Sequence, residues 1–131
     1  MNIANIRDWF KTLVPSFLTD GYYLGRLQNT TRENLISFRR GATPSQQKAI
    51  GGMANTSYSR IACNCIVHLF KDAKASEVKI EAIRETLLNV AHPIINGHDV
   101  VMLTIRNLVD IGVDANGIQE YALDFEIMYK R

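Results

Sequence analysis

Hydrophobic and polar positions in this chain follow two kinds of period, and the clearest stretch closes it. From Gly117 to Arg131 the pattern alternates: Tyr121, Leu123, Phe125, Ile127 and Tyr129 share one face, and Glu120, Asp124, Glu126 and Lys130 share the other, with Ala122 and Met128 between them. A period of two predicts a β-strand whose one face is made for a core and whose other face presents carboxylates to water or to a partner. Asp114, Asn116 and Gly117 predict the turn before it, because Asn and Gly accept positive φ at little cost.

Upstream the period changes. Ile3, Ile6, Phe10, Leu13 and Val14 recur at three- and four-residue spacing, the mark of an amphipathic helix, which Pro15 ends. Tyr22–Leu27 and Leu35–Arg40 read as two short strands around Gln28, Asn29, Thr30 and Thr31, a hairpin with a slightly long turn. Positions 41–57 break the pattern with Gly41, Pro44, Gly51, Gly52 and small polar residues, and are expected to form a flexible loop. Arg60–Phe70 alternates Ile61, Cys63, Cys65, Val67 and Leu69 against Ala62, Asn64, Ile66, His68 and Phe70; with both faces largely apolar, it is expected at the centre of a sheet. Ser76 is placed to cap a helix running to about Val90, with Glu77 in its first turn, a stripe of Ile80, Ile83, Leu87 and Val90, and His92 and Pro93 beyond its end. Val100–Arg106 supplies one more strand. The sum predicts a single α+β domain: a mainly antiparallel sheet of about five strands with two main helices packed against it.

At 131 residues, 47% of them hydrophobic and 21% charged, the chain fits one globular domain and neither a disordered nor a fibrous class. A formal net charge of +2 gives no general pull toward nucleic acid, and no apolar run approaches the twenty residues that span a bilayer. Asp8 and Trp9 inside the first amphipathic pattern argue against a signal-peptide core, so a soluble, unexported protein is expected. Cys63 and Cys65, two apart on a strand, point the same way but cannot readily close a relaxed disulfide, and reduced core thiols are expected.

Candidate chemistry is thin. Cys63, Cys65 and His68 spell Cys-x-Cys-x-x-His, but on a strand His68 faces away from both thiols and no nearby residue completes a zinc site. His92 and His98 bracket a loop with no nucleophile beside them, and Asp124 and Glu126 share a strand face without a companion motif. Gly51 and Gly52 lack the Gly-Lys-Ser or Gly-Lys-Thr of a phosphate loop and read as a hinge. The expectation is a protein that is not an enzyme and needs no metal or cofactor.

Three stretches carry a family resemblance: Ile6-Arg7-Asp8-Trp9-Phe10; Ile50-Gly51-Gly52-Met53-Ala54-Asn55-Thr56-Ser57-Tyr58 leading to His68-Leu69-Phe70-Lys71-Asp72; and Ile111 to Tyr121 with the strand after it. Their order resembles the tail-terminator proteins of tailed bacteriophages, also called tail-completion or minor capsid proteins. The resemblance implies a structural virion protein, acting in the virion and assembled in the host cytoplasm. It implies a homo-oligomeric ring, hexameric in that family, that caps the tail tube protein and docks a head-completion protein, with DNA free to pass through the ring without base contacts. A ring needs two different patches that meet. The acids Glu120, Asp124 and Glu126 are candidates to meet Arg39, Arg40 and Arg60 of a neighbour, or else to pair within one sheet or face solvent. Ile50 and Met53 around Gly51 and Gly52 are the second candidate patch, or an ordinary surface loop. An adaptor that binds a protein or peptide through an exposed sheet edge is the alternative function.

Overall fold

The computed structural model describes residues 1–13, 21–25, 33–42, 50–52 and 57–131. Its elements are α1 (Ile3–Leu13), β1 (Gly21–Leu24), β2 (Leu35–Arg40), β3 (Tyr58–His68), α2 (Ala73–Asn89), β4 (Ile94–Ile95), β5 (His98–Val113) and β6 (Gln119–Lys130). The strands form one six-stranded sheet in the order β1-β2-β3-β6-β5-β4. The fold is α+β with one strand more than the alternation predicts, and β3 lies inside the sheet as its two apolar faces require. The expected hinge and loop at positions 41–57 fall mostly outside the described residues, as do Val14, Pro15, the turn at Gln28–Thr31 and Met53.

The expected first hairpin is not one. β1 and β2 run parallel, with Gly21 opposite Leu35 and Leu24 opposite Phe38. Alternation is the same for either direction, and the turn residues suggested reversal. The ten residues 25–34 that separate the two strands can extend roughly 33 Å, well beyond the length of a four-residue strand, so the chain can return to the end it left. All the other pairings are antiparallel.

One apolar cluster joins both helices to one face of the sheet: Ile6, Trp9 and Phe10 of α1, Ile80, Ile83 and Leu87 of α2, and Phe38, Cys63, Cys65, Leu123, Phe125 and Ile127 beneath them. Reciprocal bonds start α1, Asn5 N–H donating to Asn2 Oδ1 at 3.0 Å and Asn2 N–H to Asn5 Oδ1 at 2.8 Å. The Phe10 ring then meets Phe38 edge-on, with centroids 5.3 Å apart. The cap of α2 is Asp72, which accepts from Lys74 N–H at 3.0 Å, and not Ser76. Ser76 is fully buried inside the helix, where its hydroxyl accepts from Phe70 N–H and donates to Phe70 C=O, both at 3.1 Å, pinning the helix to the end of β3. Glu77 accordingly sits beyond the first turn, and accepts a bond from the Tyr121 hydroxyl at 3.0 Å.

Candidate assembly surface

The longest strand is the one the alternation understated. β5 runs for sixteen residues, and its pairing with β6 skips three times, leaving Val101, Arg106 and Ile111 as extra residues. Each skip inserts a residue that has no partner across the ladder and sharpens the local twist. Recurring every five residues, the bulges coil the β5–β6 hairpin and destroy the two-residue period over most of its length.

Among the described residues, β4 pairs only with His98 and Asp99, so the outward edge of β5 from Val101 to Val113 has no strand partner. The β4–β5 turn is Asn96-Gly97, both at positive φ, the dipeptide that most favours a two-residue hairpin turn and the sequence signal for β4. Val101, Met102, Val109, Ile111 and Val113 are all exposed along the open edge. On the helix side, Leu103, Ile105 and Leu108 are only partly covered and, with Arg84 and Leu88 of α2, line a groove of about 500 Å³. A long edge of unpaired backbone bearing apolar side chains is a template for another chain.

The sequence-predicted residues lie on the other face of the sheet or at its margin. Register places Arg39, Asn64, Asp124 and Asn107 in one row across four strands, and Ala62, Glu126 and Thr104 in another. Arg60 reaches Glu126 of the same chain at 3.8 Å, both side chains partly exposed. Asp124 is therefore set between Asn64 and Asn107, Glu126 between Ala62 and Thr104 with Arg60 in reach, and Glu120 between His68 and Gly112. Arg39 and Arg40 are exposed at the end of β2, Ile50 is fully exposed, and Gly52 has φ +90°, so any other residue there is strained. The structure does not gather Arg39, Arg40 and Ile50 with the β6 acids into one cluster.

The two thiols and His68 part company as the strand geometry requires. Cys63 and Cys65 are buried in the core with their sulfurs 3.7 Å apart, and burial, reinforced by Cys63, pushes the Cys65 thiol well above its ordinary pKa. His68 is buried on the opposite face, between Asp114 at 3.4 Å and Glu120 at 3.6 Å. His98 stacks edge-on against Tyr129 and hydrogen-bonds Lys130 C=O through Nδ1 at 3.0 Å, while His92 is exposed at positive φ. Among the described residues no helix is long and apolar enough to cross a membrane.

No protein-family model matches this chain, and no curated protein does. Among solved structures, the fold is similar to that of a chain in the virion of a native gene transfer agent particle. The TM-score is 0.56 at 12% identity, over 93% of this chain and 84% of that one. At that identity the likeness establishes the shared fold.

Proposed function

We propose that this chain is a structural protein of a phage-like virion that assembles head to tail into a ring, closes a finished tail tube and offers the head a docking surface. The observation that carries the reading is the open β5 edge: unpaired backbone and exposed apolar side chains side by side, with a groove behind them, suit the repeated contact of a closed ring. A fold shared with a virion protein, and the ordered resemblance to tail terminators, support the setting. In this reading the β5 edge of one copy lies against a different surface of the next, six copies close the ring, tail tube and head-completion proteins dock on its two ends, and DNA passes through the opening. No catalytic step belongs to it.

Val109→Asp tests the reading, because it places a charge on the exposed edge without touching the core. Wild-type protein is expected to run as a multi-copy ring by light scattering, alone or on assembled tail tubes, and the variant to keep its circular dichroism yet remain monomeric. A second reading rests on the same edge: an adaptor that adds an extended peptide of another protein to its sheet. Wild type that stays monomeric at every concentration and ignores tail tubes, while binding such a peptide, would replace the ring with the adaptor.

A further inference from the structure

We propose that His68, Asp114 and Glu120 form a binding site for a single divalent transition-metal ion of the zinc class, clasping β3 to the β5–β6 turn. One ring nitrogen and one oxygen from each carboxylate lie within 4.8 Å of one another. The cluster is more than a gathering of acids, because its centre is a histidine only 4% exposed whose Nε2 makes no hydrogen bond among the described residues. A buried imidazole nitrogen without a bond is costly, and it points at Asp114 Oδ2 from 3.4 Å, too far for a good hydrogen bond. Donors bound to one tetrahedral zinc ion at about 2.0–2.1 Å lie about 3.3–3.4 Å apart, so this separation suits two ligands of a shared metal.

The surrounding structure holds the donors in place. Asp114 Oδ1 accepts from Asn116 N–H at 2.8 Å and Ile118 N–H at 3.0 Å, which fixes the carboxylate and leaves Oδ2 directed at the imidazole. Glu120 lies directly across the ladder from His68 on β3 and from Gly112 on β5, and Gly112 has no side chain to cover it. Glu120 Oε2 stands 3.6 Å from Nδ1, the other ring nitrogen, and turns toward Nε2 to share an ion with Asp114; a Cβ built at Gly112 would meet nothing within 4 Å, so the space over Gly112 is open. One imidazole with two carboxylates favours zinc, cobalt or manganese over calcium and magnesium, which prefer all-oxygen sites. The sequence gives no metal site for Cys-x-Cys-x-x-His, and Cys63 and Cys65 do lie on the far side of the sheet from His68; the proposed site draws its other donors from Asp114 and Glu120 instead.

The test uses the full chain, stripped with chelator and titrated with Zn²⁺, Co²⁺ and Mg²⁺ salts. Zn²⁺ is expected to raise the melting temperature by several degrees, and Co²⁺ to bind one ion per chain with the visible absorption of low-coordinate cobalt. Glu120→Gln and Asp114→Asn preserve shape, and Asn at position 114 keeps an oxygen for the turn. Each is expected to fold as the stripped wild type does and to weaken Co²⁺ binding by roughly tenfold or more. Zn²⁺ that leaves the wild-type melt unchanged, a shift undiminished in both variants, or Mg²⁺ acting as strongly as Zn²⁺ would overturn the site. Assembly is not read in this experiment, so its outcome is independent of the ring.

Discussion

β5 and β6 are two halves of one hairpin, yet they obey different rules. β6 is paired on both sides, and its buried and half-buried positions alternate without a break from Tyr121 to Met128. Among the described residues β5 is paired along one side only for most of its length, is bulged three times, and exposes apolar residues. A strand enclosed by neighbours must satisfy the pleat, whereas an edge strand is free to serve something outside the chain.

The sharpest way to break that contrast uses a cross-strand pair. Phe125 and Ile105 are opposite each other on the core side, but Phe125 is fully buried and Ile105 borders the groove. Phe125→Ala is expected to cost about 3–5 kcal/mol and to unfold or aggregate the protein. Ile105→Ala should cost about 1–2 kcal/mol, because part of its surface already faces solvent. Thermal and denaturant melts compare the two. Equal losses would mean that the groove is closed in solution and that the edge is less available than its geometry indicates.

The same contrast explains what was legible in the sequence. Where pairing is regular, alternation was enough: the faces of β6, the central place of β3 and the opposed directions of Cys63 and His68 all follow from a period of two. The stripe of α2 was legible for the same reason, with Ile80, Ile83 and Leu87 buried. The cap was misread because Ser76 and Asp72 are both good N-cap residues, and only the buried bonds of Ser76 to Phe70 distinguish them. β5 was truncated at Arg106, where the second bulge shifts the register. The parallel pairing of β1 could not be read from residues whose pattern is identical in either direction. The sequence offers charged residues and the Ile50–Met53 patch as interface candidates, while the open edge is a property of strand order and emerges only from the fold. Asp114 and Glu120 are neighbours along the chain, but His68 is far from both and meets them only through the register of β3 with β6 and the turn before β6.

A smaller effect is expected where β6 meets α2. The Tyr121 ring is buried and its hydroxyl donates to Glu77 at the margin, so desolvation, followed by the Glu77 carboxylate, raises the phenol pKa from 10.0 to about 12. The fold favours the neutral phenol. Its contribution is complete below pH 10, where the unfolded chain also keeps the proton, and is lost as pH climbs toward about 12. Tyr121→Phe should cost about 1 kcal/mol at neutral pH through the lost hydrogen bond. It should also flatten the fall in melting temperature between pH 10 and about 12, and an unchanged slope would show that other groups govern alkaline unfolding.

The smallest expected effect lies on the charged face of β6, and it sharpens the contrast with β5 most directly. Arg60 and Glu126 already meet at 3.8 Å within one chain, with side chains 44% and 22% exposed. Such a pair is screened by water and salt and contributes about 0–1 kcal/mol, so Glu126→Gln should barely move the melting temperature. If copies join through the edge of β5, Glu126→Gln should also leave assembly and its salt dependence as they are, although Glu126 lies opposite Thr104 on the neighbouring strand. Light scattering of Glu126→Gln beside Val109→Asp separates the two surfaces. Assembly weakened by the neutralised carboxylate and relieved of its salt dependence, with Val109→Asp still forming rings, would move the contact from the apolar edge to the charged face, where Arg39 and Arg40 of a neighbouring copy become the partners to test.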